Sequence, residues 1–130
     1  RLVQWPNSYD VLITSNLFGD ILTDEASVIS GSIGLMPSAS VGSNNALYEP
    51  IHGSYPEAAG KNIANPIASI LSLSMMLEYT FNLKEESKII NRAVEDSLKN
   101  NYVTPDLSSV KNSYSTDQVG DYIVDFIEKN

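Results

Sequence analysis

Tyr9-Asp10-Val11-Leu12-Ile13-Thr14-Ser15-Asn16-Leu17-Phe18-Gly19-Asp20-Ile21-Leu22-Thr23-Asp24-Glu25 joins a short apolar run to a pair of aspartates. Its reading decides what the rest of the chain can be. The run at residues 10–14 predicts a buried strand, and the residues after it predict a helix from about Asp20 to Ser30. At about 100° per residue, positions 20 and 24 fall about 40° apart on one helical face. Two carboxylates presented together beyond a strand end suit a hard divalent cation such as Mg²⁺ or Mn²⁺. The same pair also fits a solvated acidic helix start, where Asp is favoured by capping and by the helix dipole. Spacing alone leaves both readings open, with the solvated start the commoner.

The chain around this stretch has 130 residues, enough for one domain with its own core, and 42% of them are apolar. Sixteen acidic against eight basic residues give a net charge of −8, with no Lys/Arg cluster, which argues against a nucleic-acid partner. There is no cysteine, so disulfides, thiolate metal sites and Cys nucleophiles are excluded. No apolar run approaches the roughly 20 residues that span a bilayer. The amino end, Arg1-Leu2-Val3-Gln4-Trp5-Pro6, reads neither as a signal peptide nor as a translation start. The expectation is a piece of a longer chain.

Strands and helices alternate in the α/β manner. Gly31 and Gly34 mark a break after the first helix, and Gly42-Ser43-Asn44-Asn45 is a turn signal that pairs residues 38–41 with 46–49. Pro66 opens a helix whose stripe runs through Ile67, Ile70, Leu71, Ser74, Leu77, Glu78 and Phe81. Leu73, Met75 and Met76 widen that stripe, which predicts a helix buried on most sides. A further helix over about Lys84 to Asn100 turns Ile89, Ile90, Ala93, Val94 and Leu98 inward. Ser115-Thr116-Asp117-Gln118 has the capping-box pattern and starts a last helix that buries Val119, Tyr122, Ile123, Phe126 and Ile127. Tyr102-Val103-Thr104 reads as an edge strand between the two.

From Pro50 to Asn65 the sequence is rich in Gly, Pro, Ser and Asn with almost no apolar periodicity, and so long a loop is uncommon unless it binds something. Gly53 and Gly60 let backbone approach a ligand, while Ser54 and Asn65 offer hydrogen bonds. Glu57 is placed to accept from the paired hydroxyls of a ribose and to repel a 2′-phosphate. His52 is the only histidine, and a lone loop histidine is more often a structural hydrogen-bonder than a catalyst. With no G-x-G-x-x-G and no P-loop, a dinucleotide would be held without the Rossmann fingerprint.

Several of these segments together resemble the metal-dependent β-decarboxylating dehydrogenases of the isocitrate/isopropylmalate family. The resemblance rests on Thr14 to Ala26, on Gly31-Ser32-Ile33-Gly34-Leu35-Met36-Pro37-Ser38-Ala39-Ser40 and on Tyr48-Glu49-Pro50-Ile51-His52-Gly53-Ser54. Gly60-Lys61-Asn62-Ile63-Ala64-Asn65-Pro66 completes it, and Glu25 with Pro37–Ser40 favours the isopropylmalate branch. The implied fold is α/β, an isopropylmalate-dehydrogenase-like two-domain fold of which only the C-terminal portion is present. Residues 1–30 would end the substrate and dimerisation domain, and residues 31–130 would form the C-terminal part of the NAD-binding domain.

The resemblance also implies roles. Asp20 and Asp24 match the family's metal-ligating aspartates, and His52, Gly53, Ser54, Glu57 and Asn65 match the loop around the adenosine half of NAD. At Glu57 the family more often has Asp, and at Tyr55 a small residue. The implied cofactors are NAD and Mg²⁺ or Mn²⁺, and the implied partner is a second copy in a homodimer that shares its active sites. The implied reaction is NAD-dependent oxidation and decarboxylation of 3-isopropylmalate, in leucine biosynthesis in the cytoplasm. No catalytic residue is assigned in this chain. The proton-transfer lysine and tyrosine, the substrate-binding arginines and a third metal aspartate are expected upstream of Arg1. The chain alone should therefore be inactive. The alternatives are a related isocitrate, homoisocitrate or tartrate dehydrogenase, or a non-catalytic subunit.

Overall fold

Three helices with complementary apolar faces build the core. The computed structural model describes residues 1–107 and 113–130; residues 108–112, which fall within the expected second segment, lie outside the described residues. In chain order the elements are α1 (Asn16–Ser30), β1 (Pro37–Val41), β2 (Ala46–Pro50), α2 (Ile67–Tyr79), α3 (Lys84–Lys99) and α4 (Thr116–Glu128). The fold is thus mixed α/β and mostly helical. No helix among the described residues is long and apolar enough to cross a membrane.

Ile67, Ala93, Val94, Val119 and Ile123 form the buried cluster, with Ile70, Leu71, Leu98 and Phe126 packed around it. The i, i+3, i+4 spacing on α3 and α4 places these residues on inward stripes, as their periodicity predicts. The capping box at Ser115 forms, with Gln118 Oε1 accepting from Ser115 N at 3.0 Å. On α2 the burial differs from expectation. Ile67, Ala68, Ser72 and Ser74 are buried, while Leu73 and Tyr79 are exposed. Two buried serines take core positions because their hydroxyls are satisfied locally: Ser72 donates to the Ala68 carbonyl at 2.8 Å, and Ser74 is bonded to Ser87 on α3.

β1 and β2 pair antiparallel, Pro37 opposite Pro50 through Val41 opposite Ala46, one residue longer at the outer end than the turn signal predicts. The hairpin lies against α2. Helix α1 stops at Gly31, which takes the left-handed conformation (φ 94°) that favours glycine and donates its N–H to the Ser27 carbonyl at 3.0 Å.

Two strand expectations fail. Residues 10–14 form no strand, and Val11 and Ile13 are 79% and 96% exposed. A strand needs a neighbour for its backbone hydrogen bonds, and the only sheet among the described residues is the β1–β2 pair. Tyr102–Thr104 likewise forms no strand, although Val103 and Thr104 are buried. Among the described residues Tyr114 N–H donates to the Val103 carbonyl at 2.8 Å and Tyr102 N–H to the Ser97 carbonyl at 2.8 Å, which builds no ladder.

Candidate functional site

The loop between β2 and α2 folds back on the turn that follows α1, and a cleft of about 320 Å³ opens between them. Its walls include Ile33 and Gly34 from the turn, His52 to Tyr55 and Ile63 to Asn65 from the loop, and Asp106 from the segment after α3. That volume is at the small end of ligand sites. The loop is held by the start of α4: Thr116 Oγ1 donates to the Ala64 carbonyl at 2.6 Å, and Thr116 N–H to the Asn62 carbonyl at 3.0 Å.

Of the five residues expected to hold a nucleotide, His52, Gly53, Ser54 and Asn65 all line this cleft, and Glu57 does not. Glu57 lies in the 3₁₀ turn Pro56–Ala58, exposed, just beyond the rim residue Tyr55. His52 Nδ1 lies 2.9 Å from the Gly53 carbonyl, so in the neutral ring Nδ1 is the donor and Nε2 the acceptor. A Cβ added at Gly53 would meet nothing within 4 Å, so no neighbour among the described residues demands glycine there.

Asn65 does two jobs. Its Oδ1 accepts the Ile67 N–H at 3.0 Å, capping α2, and its Nδ2 donates to Asp106 Oδ2 at 3.0 Å. Asp106 escapes the sequence reading altogether. Burial pushes its carboxyl pKa up, but hydrogen bonds from Ser32, Thr104 and Asn65 outweigh this and hold it below the ordinary carboxylate value. The only signal in the sequence is the turn-forming Thr104-Pro105-Asp106.

A second cleft, about 410 Å³, lies between the start of α1 and the hairpin. Asp20 lines it with Asn16 and Thr23 from α1, Ser38 and Ser40 from β1, and Glu49 from β2. Asp24 follows one turn on, exposed. Glu49 is a second acid that the sequence reading left unassigned. Among the described residues no three Asp, Glu or His side chains converge in a way that could hold a metal. The chain therefore offers two oxygen donors on one helical face. They suit part of a hard-cation site and do not complete one.

The isocitrate/isopropylmalate dehydrogenase family description matches residues 1–123, and the chain belongs to that family of oxidoreductases. The 3-isopropylmalate dehydrogenase of Aquifex aeolicus is 50% identical over 99% of this chain and 36% of its own length. That of Bacteroides fragilis is 52% identical over the same shares. The chain thus spans about 36% of the length of these curated relatives. Among solved structures, the isocitrate dehydrogenase of Methylococcus capsulatus superposes with a TM-score of 0.91 at 41% identity, over 97% of this chain and 37% of that one. A β-decarboxylating dehydrogenase from Thermococcus kodakarensis in its apo form gives 0.85 at 44%, over 98% and 37%.

Proposed function

We propose that the protein carrying this chain is an NAD-dependent 3-isopropylmalate dehydrogenase. It would oxidise and decarboxylate 3-isopropylmalate to 4-methyl-2-oxopentanoate, with Mg²⁺ or Mn²⁺, in cytoplasmic leucine biosynthesis. The observation that carries the reading is the convergence of His52, Gly53, Ser54 and Asn65 on one cleft. The identity of about half to relatives of that name supports the branch.

In this reading residues 1–30 end the substrate and dimerisation domain, and residues 31–130 belong to the NAD-binding domain. Two features of α1 support the division and the dimer. None of its residues is buried, and Leu17, Phe18 and Val28 are all more than 60% exposed. A second copy is the occupant that such a face would take.

Asp20 and Asp24 would hold the cation, together with donors that this chain does not supply. His52 to Ser54 and Asn65 take the adenosine half of NAD through backbone and side-chain hydrogen bonds. Glu57, exposed beside the rim, would accept from the ribose hydroxyls and would disfavour a 2′-phosphate by charge repulsion. The chemistry these groups supply when bound is Lewis-acid polarisation of the substrate hydroxyl and acceptance of a hydride.

A second reading, oxidation of isocitrate, is favoured by the superposition on the Methylococcus capsulatus isocitrate dehydrogenase. Steady-state assays of the natural full-length protein separate the two. NAD-dependent, Mg²⁺-dependent turnover of 3-isopropylmalate is expected. Preference for isocitrate overturns the branch assignment, and the absence of turnover with either acid returns the chain to a non-catalytic subunit.

A further inference from the structure

Asp106 lies on no helix or strand, yet the walls of the 320 Å³ cleft meet at its carboxylate. Ser32 Oγ and Asn65 Nδ2 both donate to Oδ2, the latter at 3.0 Å, and Thr104 Oγ1 donates to Oδ1 at 2.5 Å. Ser32 and Asn65 lie 74 and 41 residues away in sequence. A carboxylate accepts only, and two oxygens can satisfy all three donors at once.

The consequence falls on Asn65. Its oxygen is committed to the Ile67 N–H and its nitrogen to Asp106. Turning the amide over would set an NH₂ against an N–H and an oxygen against a carboxylate, making both contacts repulsive. One orientation survives, and it leaves the second Nδ2 hydrogen as the donor that Asn65 can offer a ligand. Ser32 is directed in the same way: its Oγ accepts from Gly34 N–H at 3.0 Å while its proton goes to Asp106.

We propose that Asp106 is a positioning residue for nucleotide binding. By accepting from Asn65 and Ser32 it fixes the Asn65 amide in the orientation that presents its remaining N–H to the adenosine part of the dinucleotide. The inference rests on the NAD reading of this cleft. It adds a residue that acts through Asn65 and need not touch the ligand.

The test is a double-mutant cycle in the natural full-length protein, with Kd for NAD and for ADP-ribose measured by calorimetry beside the steady-state constants. Asp106→Asn keeps the size but sets an NH₂ against one of its donors. It is expected to weaken NAD and ADP-ribose binding tenfold or more, with the loss in KM for NAD and not in kcat. Asn65→Ala should cost as much, and Asp106→Asn added to it should change Kd by less than twofold, because the amide it positions is gone. Independent, multiplying losses overturn the proposal, and so does an Asp106→Asn affinity within twofold of the natural protein. Should Asp106→Asn fail to fold, Asp106→Glu keeps the charge and displaces the carboxylate by one methylene. The same loss is expected from it, and unchanged affinity overturns the proposal. If the natural protein binds neither NAD nor ADP-ribose, the NAD reading itself fails, a result distinct from either outcome for Asp106.

Discussion

A Cβ added to Gly34 would stand 2.8 Å from the Cβ of Asn65, closer than side-chain carbons approach in folded proteins. Gly34 is buried and Asn65 caps α2, so neither can yield without moving backbone. Gly34→Ala is therefore expected to push Asn65 off its hydrogen bonds to Ile67 and Asp106. Overpacking of this kind costs about 1–3 kcal/mol. NAD affinity should fall tenfold or more and the melting temperature by several degrees; calorimetry and a thermal melt of the same preparation check both. Unchanged affinity would mean that the turn at Ile33–Leu35 shifts freely and that the cleft does not depend on Asn65.

Asp24 lies one turn beyond Asp20 on an exposed helical face, and neither carboxylate accepts a hydrogen bond among the described residues. The proposed metal role predicts that Mg²⁺ or Mn²⁺ raises the melting temperature of the full-length protein and that Asp24→Asn abolishes this rise, because a ligand that binds only the folded state raises its stability by mass action. NAD affinity measured without metal should stay within about threefold. A metal-dependent rise in melting temperature that survives the substitution would return the pair to a solvated helix start.

Helices α3 and α4 were legible because their signals are local, whereas α1 begins at Asn16, four residues before the expected Asp20. The Ile90, Ala93, Val94 stripe on α3, the Val119, Ile123 stripe on α4 and the Ser115 to Gln118 box each lie within a few residues, and the structure keeps them. The hairpin was legible for the same reason, through Gly42 to Asn45. Residues 10–14 misled because apolar runs predict strands only when a partner strand exists, and pairing is not written locally. Asp106 was invisible because two of its three donors are 41 and 74 residues away. Its place in the cleft exists only once the chain has folded.

Ser74 and Ser87 face one another between α2 and α3, both buried, with their hydroxyls 2.8 Å apart. Ser74 Oγ also donates to the Ser87 carbonyl at 3.1 Å. Removing one partner from a buried pair leaves the other unsatisfied, a cost of about 1–3 kcal/mol, whereas removing both is close to neutral. Ser74→Ala should therefore lower the urea midpoint of the full-length protein more than Ser74→Ala with Ser87→Ala together, because it strips the Ser87 hydroxyl of its Ser74 partner, whereas Ser74 keeps the Ser87 carbonyl and Asn91 Oδ1 as acceptors when Ser87 is the residue replaced. NAD affinity should not change in either. Additive losses would show that packing, not hydrogen bonding, holds the two helices at this point.

The Asp106 carboxyl also sets an acid limit on the fold. Its folded pKa lies below the ordinary value of 3.8, because the hydrogen bonds from Ser32, Thr104 and Asn65 favour the charged form more than burial disfavours it. A group with a depressed folded pKa binds protons more readily once unfolded. The stability it contributes is fully present above 3.8 and is lost as pH falls from there through the folded pKa. Melts of the full-length protein carried from about pH 7 to about pH 2 should therefore include a loss of stability below 3.8 in the acid limb, and Asp106→Asn, which cannot titrate, should make that limb shallower. Asp117, held low first by Ser115 and then by Asn62, contributes in the same window from an exposed position where solvent weakens it. An Asp117→Asn variant is the control: it should leave most of the limb in place. If Asp117→Asn flattens the limb as much as Asp106→Asn does, the acid sensitivity belongs to the α4 cap and not to the carboxylate that joins the cleft walls.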